Sequence, residues 1–351
     1  MSFASDNWAG ASDKVMEALA AANNGLAPSY GADVTTAKAT EALAAYFEKE
    51  IAVFFVSTGS AANSLAVASY SRPGGVVFCH VDAHLARDEA GAPGLAAPGL
   101  MLDLLDGPRG QIAPEALRAR LAAYQEGNVH HGQPALVSLT NANEIGQCYT
   151  PREVATLAEI AKERGVPVHM DGARFSNALA FLGVSPAELT WRSGVDVISL
   201  GFTKAGAWCA EAVVFFEPLM KRDVAYRHKQ LGQLFSKNRF VAAQVGAMVK
   251  DEHALTLSRH ANRMARAVAD ALSESGKGQI LYPPQANEVF AYLSPELAAR
   301  LADLGIKAGQ WESLSRTMPG PRSPDWSLYR FVASFRTSDG DIAALKQALA
   351  A

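Results

Sequence analysis

The stretch Val166-Pro167-Val168-His169-Met170-Asp171-Gly172-Ala173-Arg174 decides how this chain is read. It is a short apolar run with β-branched residues that ends on polar and turn-forming ones, which fits a buried strand. Polar groups crowd its carboxyl end, and ligand sites of open α/β sheets lie outside those ends. A carboxylate there needs a cationic partner or several hydrogen bonds, because desolvation disfavours its charge. A protonated heterocyclic nitrogen would be such a partner. An Asp171–Arg174 ion pair or a helix N-cap at Asp171 would satisfy the same residues without a ligand.

Outward from this stretch the pattern repeats. Runs at 51–56 (IAVFFV), 76–79 (VVFC), 135–139 (ALVSL), 195–200 (VDVISL) and 212–216 (AVVFF) join 166–170 as strand candidates. Between them, 35–48, 60–70, 113–125 and 151–164 read as helices. Such alternation predicts an α/β fold, a mostly parallel sheet sandwiched by helices. Pro114 and Pro151 suit a first helical turn, and Thr150 with Glu153 has the spacing of a capping box. After about residue 240 the pattern changes. One or two helices over 240–274 precede strands at 289–293 and 328–335 and helices at 295–303 and 339–350, with a Pro/Gly-rich loop at 315–327. The expected organisation is a large α/β domain over 1–247, with an N-terminal arm, and a smaller α+β domain over 248–351.

Composition bounds the partners. The 351 residues are 49% hydrophobic and 19% charged with a net charge of −3, an ordinary globular balance with chain enough for a large core. Near-neutrality argues against an electrostatic grip on nucleic acid or an anionic membrane. No apolar run reaches the roughly 18 residues of a membrane-spanning helix. The start, MSFASDNWAG, has no basic stretch leading into an apolar one, so a cytoplasmic location is expected. Cys79, Cys148 and Cys209 are odd in number and widely spaced, and read as reduced thiols.

Three more segments could carry chemistry. Ser57-Thr58-Gly59-Ser60-Ala61-Ala62-Asn63 follows a strand and opens a helix, where backbone N–H groups make a phosphate seat; turn geometry alone can also demand such residues. No GxGxxG or GxxxxGK[ST] motif occurs, which removes the main support for nicotinamide or nucleoside-triphosphate binding. In Ser199-Leu200-Gly201-Phe202-Thr203-Lys204-Ala205-Gly206-Ala207, one lysine ends an uncharged apolar run. A desolvated lysine suits covalent chemistry with a carbonyl, although it could simply snorkel from a turn. His84, after the strand VVFC, could stack on a flat ring, move protons or be a loop histidine; His130 and His131 are equally open. No metal-ligand spacing such as HExxH occurs.

In this order the segments resemble those of fold-type-I enzymes dependent on pyridoxal 5′-phosphate, and more narrowly the low-specificity L-threonine aldolases of the β-eliminating lyase superfamily. The resemblance spans nearly the whole chain, from Ser5-Asp6-Asn7 and Tyr30-Gly31-Ala32-Asp33 to Tyr329-Arg330-Phe331-Val332-Ala333-Ser334. It rests most on HMDGAR with a lysine 33 residues after Asp171. It implies cleavage of the Cα–Cβ bond of L-threonine, L-allo-threonine or relatives such as phenylserine to glycine and an aldehyde. A β-eliminating lyase or an aminotransferase is the alternative within the cofactor class, and a non-catalytic phosphate-binding domain is the alternative outside it.

The resemblance also implies roles. Lys204 would condense with the cofactor aldehyde, Asp171 would bond the pyridine nitrogen, and Gly59 and Ser60 would hold the phosphate. His84 would stack on the ring and is the first choice of base, with His130 or a water as alternatives. Arg174 would reach the phenolic oxygen and the substrate carboxylate, joined there by Ser5 and Arg330. Lys229 and Tyr30 would arrive from a second copy, so a homodimer or homotetramer with shared sites is expected. Ala205 stands where family members often carry Gly or Asn, and the bulky Trp208 and Cys209 are expected to alter the pocket wall.

Overall fold

A computed structural model describes residues 2–350. The larger sheet comprises β1 (Ala52–Val56), β2 (Gly75–His80), β3 (Met101–Leu105), β4 (Gln133–Thr140), β5 (Val168–Gly172), β6 (Val197–Gly201) and β7 (Glu211–Phe215). Their spatial order is β1-β7-β6-β5-β4-β2-β3. All neighbours pair parallel except β7, which runs antiparallel to both β1 and β6. Side-chain alternation sends Val213 and Phe215 to one face, against Leu65 of the helix Gly59–Tyr70. Ala212 and Val214 go to the other face, into the main core with Phe47, Leu157 and Phe175. Both faces are thus covered, which is why these strands read as unbroken apolar runs.

A second, antiparallel sheet has the order β10-β11-β9-β8, formed by β8 (Gly278–Ile280), β9 (Glu288–Leu293), β10 (Gly309–Gln310) and β11 (Ser327–Val332). Helices His253–Glu274, Pro295–Asp303 and Asp339–Ala350 pack on it through Met264, Val268, Leu272, Leu297 and Leu345. Phe3 is fully buried in the same cluster; its N–H donates to the Lys307 carbonyl and its carbonyl accepts from Val332 N. The chain's beginning is therefore tied to its end.

The expected capping box is present, with Thr150 and Glu153 bonded reciprocally at the start of Pro151–Lys162. Residues 240–274 form two helices, Arg239–Val249 and His253–Glu274, broken where Asp251 and Glu252 take positive φ. The second expected strand of the C-terminal part stops at Val332 rather than 335. Strand β3 was not anticipated, for a physical reason. It is a sheet edge with Met101, Leu102 and Leu104 exposed and Asp103 buried against Arg120 Nε at 2.7 Å, the inverse of the usual apolar-in pattern. Strands β8 and β10 are too short for any periodicity to show.

Candidate active site

Period-two alternation puts His169 and Asp171 on one face of β5. His169 is sealed inside, its Nδ1 2.9 Å from Ser138 Oγ on β4 and its Nε2 2.9 Å from Ser199 Oγ on β6. Burial lowers its pKa to about 4, so this histidine is a neutral structural bridge. Asp171, two residues nearer the carboxyl end, is the one that reaches the cavity there. Its Oδ1 accepts from Ala173 N at 3.0 Å and its Oδ2 from Asn63 Nδ2 at 2.8 Å.

Asn63 belongs to the helix Gly59–Tyr70, four residues after Gly59 and so on the same helix face. Thr58 caps that helix, its hydroxyl accepting from Ala61 N, while the first N–H groups have no intrahelical carbonyl to bond. Nothing lies within 4 Å of where a Gly59 side chain would begin, so the helix start opens onto free space. The second amide proton of Asn63 goes to Glu89 Oε1 at 2.7 Å, and the same oxygen lies 2.9 Å from His84 Nδ1. A continuous chain His84–Glu89–Asn63–Asp171 results. The hydrogen bond His84 donates to Glu89 raises the His84 pKa, outweighing the opposing effect of burial.

Lys204 sits in the turn after β6. Glu211 on β7 fastens that turn, its Oε2 accepting from Phe202 N at 2.9 Å. Burial pushes the Glu211 carboxyl up to about 7. Gly201 is required at the strand end, because a Cβ there would lie 2.7 Å from Ala173 Cα and 2.8 Å from Ala173 O. Lys204, Asp171, His84, Gly59, Asn63 and Arg174 line one cavity, together with Thr140, Asn143 and Glu144. A larger concavity, about 770 Å³ beside Trp191, lies at the opposite ends of β5 and β6.

Arg174 is held more firmly than a clamp for substrate alone would require. Its Nε and Nη2 donate to Asp6 at 2.9 and 3.1 Å, and its Nη1 lies 3.2 Å from Glu288. Asn287 Nδ2 also donates to Asp6. Burial alone would raise the Asp6 pKa, but the charges of Arg174 and Lys204 and these hydrogen bonds hold it below the usual carboxylate range. Arg330 lies 3.5 Å from Glu288 and over the Trp311 ring, and its buried Nε has no hydrogen-bond partner among the described residues. Ser5 immediately precedes Asp6 and caps a short turn through Asn7 N.

Other expected residues stand apart within one chain. His130 lies beyond the amino end of β4, whereas the cavity is at its carboxyl end; eight residues at about 3.3 Å each separate the two by more than 20 Å. His131 lies beside it in the same loop. Lys229 Nζ stacks over the Tyr30 ring, and Tyr30 is half exposed; neither lines the cavity. Trp208 is exposed and, with Cys209, hangs its N–H on Gln244, so neither shapes the cavity wall as expected. Glu89, Glu144, Glu211 and Glu288 carry much of the site's electrostatics and had no predicted role; Glu89, Glu144 and Glu288 meet Asn63, His84 and Arg174, which lie far from them in sequence.

The model of the beta-eliminating lyase family matches residues 2–296. The low specificity L-threonine aldolase of Pseudomonas aeruginosa is 42% identical over 292 residues, covering 83% of this chain and 84% of that protein. Among solved structures, a Leishmania major threonine aldolase superposes with a TM-score of 0.90 at 24% identity, covering 99% of this chain and 98% of that one. A serine palmitoyltransferase from S. paucimobilis with bound PLP–myriocin shares the fold, with a TM-score of 0.69 at 15% identity over 99% of this chain and 86% of that one. The chain belongs to the beta-eliminating lyase family, alongside the low-specificity L-threonine aldolases.

Proposed function

We propose that this protein is a pyridoxal 5′-phosphate-dependent aldolase that splits L-threonine, L-allo-threonine and related β-hydroxy-α-amino acids into glycine and an aldehyde, reversibly. One observation carries the reading: a lysine, a strand-end aspartate and an open helix start face one cavity. The residues fit the cofactor. Space at Gly59 would admit a phosphate to the N–H groups of Gly59 and Ser60, and the unpartnered Arg330 Nε offers a donor to an anion.

When bound, pyridoxal phosphate supplies an electron sink for the charge left at Cα. The protein's residues orient and polarise. Lys204 would present its amine to the cofactor aldehyde, and Asp171, held by Asn63 and Ala173, would keep a proton on the ring nitrogen. Such a preorganised charge contact in an apolar site contributes on the order of 3 kcal/mol. His84, its Nδ1 fixed by Glu89, would stack on the ring. Arg174 and Arg330, with Ser5, take the substrate carboxylate and so set which Cα bond is broken.

Lys229, Tyr30 and His130 act across an interface between copies in a cytoplasmic homo-oligomer; supporting this, Leu26, Tyr30 and Val34 form an exposed apolar run. The chain divides into domains at 1–247 and 248–351, next to the helix break at Asp251 and Glu252. Incubation with the cofactor and L-threonine tests the function. Glycine and acetaldehyde in equal amounts are expected. Ammonia with a keto acid would instead mean β-elimination, and a keto acid without ammonia would mean transamination.

A further inference from the structure

Two carboxylates line the cavity. Asp171 has its place beside the ring nitrogen; Glu144 has none among the assigned groups. Glu144 stands four residues beyond β4, and its Oε1 accepts from the His84 main-chain N–H at 2.8 Å and from the Thr140 hydroxyl at 2.9 Å. Two donors on two elements thus fix the carboxyl group, and no other residue donates a side-chain hydrogen bond to Oε2 among the described residues.

We propose that Glu144 is the acid–base group for the substrate's side-chain hydroxyl, taking that proton as the Cα–Cβ bond breaks. This rests on the aldolase reading. As the O–H bond breaks, its proton moves to Glu144 and its electron pair forms the second carbon–oxygen bond of the aldehyde. The Cα–Cβ pair stays with Cα, which takes up a proton from water to become glycine, and Glu144 releases its own proton to water. Reversal adds the aldehyde to glycine.

The other candidates are less suited. His84 Nδ1 is already engaged with Glu89, which makes the ring hold its proton more tightly. His130 lies at the far end of β4 in its own chain and would meet a substrate only from a second copy, whereas Glu144 lines the same cavity as Asp171 and Lys204 within one chain. Around Glu144 stand Asp171, Arg174, His84, Tyr149 and Cys79, with Lys204 across the cavity. Burial, reinforced by the Asp171 charge, pushes its carboxyl up to about 7, where a carboxylate is basic enough to accept a proton at neutral pH.

The test uses the cofactor-loaded enzyme. Glu144→Gln keeps an acceptor for His84 N–H and Thr140, so the visible cofactor absorbance should be unchanged. Exchange of glycine's α-hydrogen in D2O, which needs no hydroxyl chemistry, should run at the wild-type rate. Threonine cleavage should fall by about 10²–10⁴-fold, and the rise of wild-type kcat/KM with pH through about 7 should disappear in Glu144→Gln while surviving in His84→Asn. In cofactor-free protein, the infrared band of protonated carboxyl that fades from pH 6 to 8 should lose intensity in the variant, leaving the share of Glu211, whose carboxyl burial also pushes up to about 7. Cleavage within tenfold of wild type, an unchanged acid limb, or an equal loss of glycine exchange would overturn the proposal. If Glu144→Gln does not fold, Glu144→Asp, which keeps the charge but withdraws it, should show the same split between exchange and cleavage. Wild-type protein that binds the cofactor but cleaves no β-hydroxy amino acid would instead refute the aldolase reading.

Discussion

Asn63 donates both amide protons to carboxylates, Glu89 on one side and Asp171 on the other. Removing it takes the donor from Asp171 Oδ2, at a cost of about 1–3 kcal/mol, leaves Glu89 Oε1 with His84 alone, and frees Asp171 to turn. Asn63→Ala should therefore lower the melting temperature and weaken cofactor retention, read by dialysis against cofactor-free buffer; retention equal to wild type would show that Asp171 needs no such support. Lys204→Ala should fold normally and lose turnover, with circular dichroism as the fold check. At this scale the sequence was half legible. Gly59 and Asn63 share a helix face by simple spacing, and Asp171 and Lys204 announced themselves by charge in apolar surroundings. Glu89, Glu144 and Glu288 did not, because a glutamate in a loop or at a strand's first residue looks solvated until the fold brings its partner alongside.

Elements position these residues through tight contacts of backbone with backbone. The end of β6 passes so close to Ala173 that only glycine fits at 201, and Lys204 follows three residues later. Gly201→Ala should separate β6 from the 172–174 turn, destabilise the fold by about 1–3 kcal/mol and shift Lys204 relative to Asp171. Urea unfolding and the cofactor spectrum would check this, and a variant matching wild type in both would contradict it. The buried strands were legible because helices on both faces leave them uniformly apolar. Strand β3 was hidden because Met101, Leu102 and Leu104 face outward while its aspartate faces inward. The two helices over 239–274 could be told apart only by the positive φ of Asp251 and Glu252, which no periodicity reveals.

Across the whole molecule, Asp6, Arg174, Glu288 and Arg330 join the chain's start, the end of β5 and the second sheet. Breaking such a buried pair from one side costs about 3–5 kcal/mol. The Asp6 carboxyl is held below its ordinary range, so the stability it contributes is present above the unfolded carboxylate pKa and lost as pH falls through the folded one. Asp6→Asn should thus be less stable than wild type at pH 7, and the gap should shrink steadily below about pH 4; a gap independent of pH would contradict the ion-pair account. The change of pattern near residue 240 was legible, and the second, antiparallel sheet lies after it, but the tie through Phe3 and Asp6 was not, because contacts between chain ends leave no local signature.

The central claim is that Lys204 carries the cofactor, and it can be read directly. Protein incubated with pyridoxal 5′-phosphate, reduced with borohydride and digested should yield one modified peptide, bearing the reduced pyridoxyl phosphate on Lys204 and absent from Lys204→Ala. Label on another lysine alone, or no label beside an intact fold, would contradict the account.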